Sequence, residues 1–177
     1  MGIRTVRTEG DECLRKVCKP VKSVSLRTRI LIEDMFDTMY ESGGVGLAAP
    51  QIGVLKRIVV MDTDDNQHVL INPEILETSG EQTGYEGCLS IPGKSGIVTR
   101  PDYVKVKALN ERGEEYVLEG EGLLARCICH ECDHLDGILY SDKAEGGLIN
   151  NEDLPEDEEE ELYEDAYEEF TEEEIHK

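Results

Sequence analysis

Apolar residues recur at helical spacing through Ile30, Leu31, Met35, Met39 and Tyr40, which predicts a helix over 25–41. Ser42-Gly43-Gly44 ends it. Two further runs, KRIVVMDT at 56–63 and QHVLINPEIL at 67–76, predict strands around a turn at Asp64-Asp65-Asn66. Segments 103–109 (YVKVKAL) and 115–119 (EYVLE) predict a hairpin over Asn110-Glu111-Arg112-Gly113. The apolar stretch 122–137, GLLARCICHECDHLDG, reads as a second helix, with Gly122 at its start and Gly137 as its C-terminal stop. Segment 44–54, GVGLAAPQIGV, is too rich in glycine for a helix, and EGCLSIPG at 86–93 reads as a loop or strand edge. The opening stretch EGDECLRKVCKPV, 9–21, reads as a loop with a short turn. No internal repeat is visible, and the mixture predicts an α+β domain.

The C-terminus changes that picture. Residues 152–177 hold 15 acids and one lysine, a net of −14 out of −22 for the whole chain, so residues 1–151 carry −8. The chain divides into a body, 1–150, and an acidic extension, 151–177. Leu162, Tyr163, Ala166, Tyr167 and Phe170 keep helical spacing, and Pro155 suits a first turn, so an amphipathic helix is expected there. The alternative is a solvated, self-repelling tail. So acidic a chain is a poor match for a phosphate backbone, and no direct nucleic-acid binding is expected. No window approaches the roughly 20 apolar residues of a membrane span. The opening MGIRTVRTEGDECLRK lacks an apolar run, so no secretory signal is expected. The six cysteines are then expected to be reduced, in a cytoplasmic protein.

The chemistry concentrates in the second helix. His130 and His134 lie four residues apart, so both imidazoles project from one face and suit two ligands of one ion. Glu131 lies about 100° round the helix from His130. Its side chain can reach a water at the ion and act as general base and then general acid. This is the HExxH pattern. The third ligand stays open at this level. Tyr140 stands where one metallopeptidase class has a third histidine, and the glutamates of 142–174 lie in acidic low-complexity sequence. Cys129 and Cys132 face away from the pair. Cys127, one turn before His130 and Glu131, can line the site. Cys88, between Gly87 and Leu89, is the favoured donor.

Three separated stretches resemble the motifs of the peptide deformylase family, bacterial type: GVGLAAPQ at 44–51, EGCLS at 86–90 and HECDH at 130–134. Their order and spacing, with the opening GDECLRKVCKPV, carry the likeness over residues 3 to 145. The resemblance implies antiparallel or mixed sheets around a central helix bearing the histidines. It implies Cys88, His130 and His134 as ligands of one divalent ion, with Fe(II) the family's usual metal and Zn, Ni or Co accepted. It implies hydrolysis of the N-formyl group from the initiator methionine of a nascent chain, releasing formate. Glu131 would move the proton, and the Gln51 amide and the Leu89 N–H would hold the oxyanion. Val45, Gly46 and Gly87 would line the peptide groove, and Leu123 and Cys127 would wall the methionine pocket. Glu86 and Arg100 would brace the ligand loop. The expected partners are formyl-methionyl nascent peptides, with ribosome contact a further expectation.

The chain departs from the pattern at Cys132 and Ser95, both commonly larger in relatives, and in its acidic extension, where some relatives are basic. Two other readings fit the helix alone. An HExxH metallopeptidase would take its third ligand downstream of His134. A non-catalytic metal-binding or redox-sensing protein would not need Glu131.

Overall fold

The computed structural model describes residues 2–155. The expected acidic helix of the extension lies outside them. Helix α1 (Leu26–Glu41) starts where Ser25 accepts the Thr28 N–H, an N-cap of the usual kind. Strands β1 (Gly46–Ala48), β2 (Ile58–Thr63) and β3 (Asn66–Ser79) follow. Then come β4 (Gln82–Cys88), β5 (Ile91–Arg100), β6 (Tyr103–Leu109) and β7 (Glu115–Glu121). Helix α2 (Gly122–Leu135) and β8 (Glu145–Asn150) complete the order. The strands form a five-stranded sheet, β1-β2-β3-β6-β7, and a three-stranded sheet, β4-β5-β8. All these pairings are antiparallel; the parallel feature is an isolated bridge between Lys19 and Lys56.

The run Ile58-Val59-Val60-Met61 is wholly apolar because β2 is covered on both faces. Successive side chains alternate. Ile58 and Val60 join Met35, Met39 and Ile71 in a core under α1. Val59 and Met61 join Leu70, Val104, Val106, Ala125, Ile128 and Leu135 in a core under α2. The larger sheet is therefore sandwiched between the two helices, and α2 is pinned along its buried face.

Five strand regions exceed the sequence expectation: β1 falls in the glycine-rich segment 44–54, β4 starts at Gln82, ahead of the stretch 86–93, and β3, β5 and β8 extend it further. β3 runs to Ser79, past a bulge at Asn72, whose φ of 52° and side-chain bonds to the Val21 backbone make the bend. β5 was hidden by Pro92 and Gly93, which fall between paired positions; Gly93 has φ of 76°. β8 was hidden by Gly146 and Gly147, both at positive φ. In these last three, turn-forming residues erase the alternation that marks a strand.

Candidate metal centre

Cys88 ends β4, just past an irregularity in the β4–β5 ladder, and the chain reverses through Leu89 and Ser90 into β5. This reversal aims the thiol at the buried face of α2. One ligand atom each from Cys88, His130 and His134 lies within 4.8 Å of the others, and Cys88 Sγ is 3.3 Å from His134 Nε2. Donors of a four-coordinate ion, at bond lengths of roughly 2.0–2.3 Å, stand about 3.3–3.7 Å apart, so the three residues fit a metal. Both imidazoles are buried, and Tyr140 stacks on His130 with centroids 5.9 Å apart. Tyr140 thus serves as a wall rather than a ligand.

The charges around these donors favour a cation. Glu86, buried, accepts from Arg100 Nε and Nη2 at 2.9 Å each, from Arg126 Nη1 at 2.5 Å and from His130 Nδ1 at 2.7 Å. Burial pushes this carboxyl up, but the bonds from Arg100 and His130 outweigh it and hold it well below the usual carboxylate range. Burial lowers His130, yet Cys88 and Glu86 overcome it and raise the imidazole to about 10. The pocket therefore stabilises positive charge beside Cys88. Burial pushes His134 well below its ordinary value, helped by the charge on His130. The Glu86–His130 bond directs Nδ1 outward and leaves Nε2 facing the thiol side, the orientation a ligand histidine needs.

Glu131 Oε1 is 4.0 Å from His130 Nε2, and its Oε2 is buried without a hydrogen-bond partner among the described residues. Burial raises this carboxyl to about 7, with Glu86 pushing the same way against His130 and Arg100. Gln51, almost fully buried, is locked by the Ala48 N–H on Oε1 at 2.9 Å. Its Nε2 donates to Ser90 Oγ at 3.1 Å and reaches Cys88 Sγ at 3.6 Å. Leu89 packs against Gly44, where an added Cβ would meet Leu89 Cδ1 at 2.7 Å.

The other expected residues surround this cluster unevenly. A Cβ on Gly46 would sit 2.8 Å from Glu131 Oε1 and 2.9 Å from Cys127 Sγ. Cys127 is buried, and burial raises its thiol well above the ordinary value, so it is neutral. Val45 is exposed at the rim. Leu123 is exposed on the first turn of α2, four residues before Cys127 and so on its side of the helix. Gly87 is exposed, and a Cβ added there would come no nearer than 3.6 Å, to the Lys94 carbonyl, so packing within the chain does not demand glycine. Asp133 accepts from Arg100 at 2.7 Å and Lys143 at 2.8 Å, away from the donors.

Sequence reasoning missed Arg126, Ser90 and Tyr140 as parts of the site. A buried position on an apolar helix was the signal for Arg126; nothing local marked Ser90.

The family model described as polypeptide deformylase matches residues 3–147. The chain belongs to the polypeptide deformylase family. The peptide deformylase of Agathobacter rectalis is 62% identical over 148 residues, covering 84% of this chain and 94% of that protein. The peptide deformylase of Lachnoclostridium phytofermentans is 56% identical over 163 residues, covering 90% and 100%. Among solved structures, the peptide deformylase of Legionella pneumophila is 47% identical, with a TM-score of 0.79 over 82% of this chain and 88% of that one. That of Synechococcus elongatus, in complex with actinonin, is 43% identical, with a TM-score of 0.79 over 81% and 79%. Deformylases of this family are metal-dependent hydrolases, and the Cys/His/His group is this chain's candidate site.

Proposed function

We propose that this chain removes the N-formyl group from the initiator methionine of nascent polypeptides and releases formate, with Cys88, His130 and His134 holding the metal. The observation that carries the assignment is the convergence of these three donors within 4.8 Å, with the buried carboxylate of Glu131 beside them. One thiolate and two imidazoles suit Fe(II), Zn, Ni and Co; the family likeness favours Fe(II). When bound, the ion supplies a Lewis acid and a water activated at neutral pH.

The protein's own groups do the rest. β1 is the edge of the larger sheet, and β4 is the edge of the smaller one. The Asp62 N–H already takes the Val45 carbonyl at 2.8 Å, so ladder alternation leaves the polar groups of Gly46 for a peptide added at the open edge. Val45 and Gly87 flank that peptide, and the absence of a side chain at Gly87 leaves room for it. Leu123 and neutral Cys127 offer the methionine side chain an apolar wall. Gln51 Nε2 and the Leu89 N–H face the developing oxyanion, and Gln51 is held in place in advance by Ala48. Glu131 takes a proton from water and hands it to the leaving amine.

The substrate is made on the ribosome, so we assign the chain to the cytoplasm, with ribosome contact during synthesis. No helix among the described residues is long and apolar enough to cross a membrane. The test is formate release from a formyl-methionyl peptide by anaerobically purified protein of measured metal content. Release that follows the metal and stops with a hydroxamate chelator supports the assignment. A metal-loaded chain that releases no formate overturns it.

A further inference from the structure

One segment of the body runs against the charge of the chain. Residues 13–32 contain Arg15, Lys16, Lys19, Lys22, Arg27 and Arg29 and no acid, in a chain of net charge −22. Arg15 pairs with Asp142, and Arg29 donates to the Glu111 carbonyl. Lys16, Lys19, Lys22 and Arg27 are exposed and form no ion pair among the described residues. Lys56, exposed and equally unpaired, joins them through its backbone bridge to Lys19. Val17 follows Lys16 and Leu26 precedes Arg27 in the chain, and they stand 68% and 74% exposed; Ile30 lies one turn beyond Leu26 on α1. α1 has no acid in its first turn, which carries Arg27, so nothing in the helix offsets its positive end.

We propose that this basic, partly apolar surface is the docking site of the chain's own acidic segment, residues 156–177. The segment has the complementary composition: 13 acids and one lysine, with Leu162, Tyr163, Tyr167 and Phe170 at helical spacing. It also has the reach. The described chain ends at Pro155, after the turn Asn151–Asp153, which Ser95 anchors through Asn151 at 2.6 Å. Lys143, Ala144 and β8 separate that turn from Asp142, the partner of Arg15, and the six residues of β8 cover about 20 Å. The 22 residues beyond Pro155 span about 33 Å as a helix. Fully extended, they span about 70 Å. Tethering places them near the surface at an effective concentration on the order of millimolar, so weak attractions by several charges suffice. A phosphate backbone would suit the same cations, but it must approach a protein of net charge −22 and displace a tethered competitor.

Zero-length carbodiimide cross-linking of the full chain at low ionic strength, with peptide mapping of the monomer, tests this. Tail carboxylates should link to Lys16, Lys19, Lys22 and Lys56 about tenfold more often than to Lys105 and Lys107, and the preference should fade in high salt. Lys94, close to the tail's root, is excluded from the comparison. Equal linkage to all these lysines overturns the proposal, as does linkage found only in cross-linked dimers. A second measurement does not depend on reagent access. Replacing the 13 acids of 156–174 by Gln or Asn should shift the amide resonances of residues 16–30; unchanged resonances overturn the proposal. So does a single-stranded RNA oligonucleotide that shifts those resonances equally in the parent and the neutralised variant, because a docked tail must compete.

Discussion

Gly46 and Glu131 approach so closely that a single added carbon on the glycine would lie 2.8 Å from the carboxylate oxygen. β1 and α2 meet at this point, and the site depends on that fit. Gly46→Ala should displace Glu131 or Cys127 while leaving Cys88, His130 and His134 to bind metal. A displacement of the order of 1 Å costs roughly 100-fold in rate. Formate-release kinetics alongside metal analysis would check it; an alanine variant with parental kcat/KM would show that the contact relaxes without consequence.

Glu131→Gln keeps the shape of the side chain and removes its basicity. Turnover should fall by roughly 100- to 10,000-fold with metal content unchanged. The non-catalytic reading predicts full retention of whatever activity the parent has.

Glu86 is the common acceptor of Arg100, Arg126 and His130. Glu86→Gln leaves the buried Arg126 without a carboxylate and Arg100 with Asp133 alone, at a cost of about 3–5 kcal/mol. It also loosens His130, which should weaken metal affinity about 10- to 100-fold. Urea unfolding and chelator competition measure the two effects separately. A variant that loses stability but holds metal as tightly as the parent would confine Glu86 to a structural role.

Tyr116 donates to the Val69 carbonyl across the larger sheet. Burial, and secondarily Glu111, push its phenol up to about 12. An unfolded phenol titrates near 10, so the folded state favours the protonated form. This contribution is complete below pH 10 and is lost as pH rises from about 10 to about 12. Tyr116→Phe should therefore be less stable than the parent at pH 8, by about 1 kcal/mol for the lost hydrogen bond. The gap should close above pH 10. Urea unfolding across pH 8–11.5 would register this; a gap that widens with pH would contradict it.

Local patterning determined both helices and four of the eight strands, β2, the first part of β3, β6 and β7, because amphipathic spacing is a local property. The pair His130 and His134, the position of Glu131 and the stop at Gly137 were likewise legible, since helical geometry relates residues a few positions apart. β5 and β8 were not, because their glycines and proline suppress alternation and only pairing with β4 and with each other makes them strands.

Local spacing left the third candidate donor a preference among cysteines, and only the family resemblance named Cys88; the fold then brings β4 to α2 and groups the three residues. Nothing within a few residues of Cys88 states that its thiol stands 3.3 Å from His134. The same is true of the Arg126–Glu86–His130 chain, whose members come from one strand and one helix 40 or more residues apart. Local sequence determined which groups share a face. Only tertiary packing decided which faces meet, because burial and charge pairing are satisfied between elements, not along them.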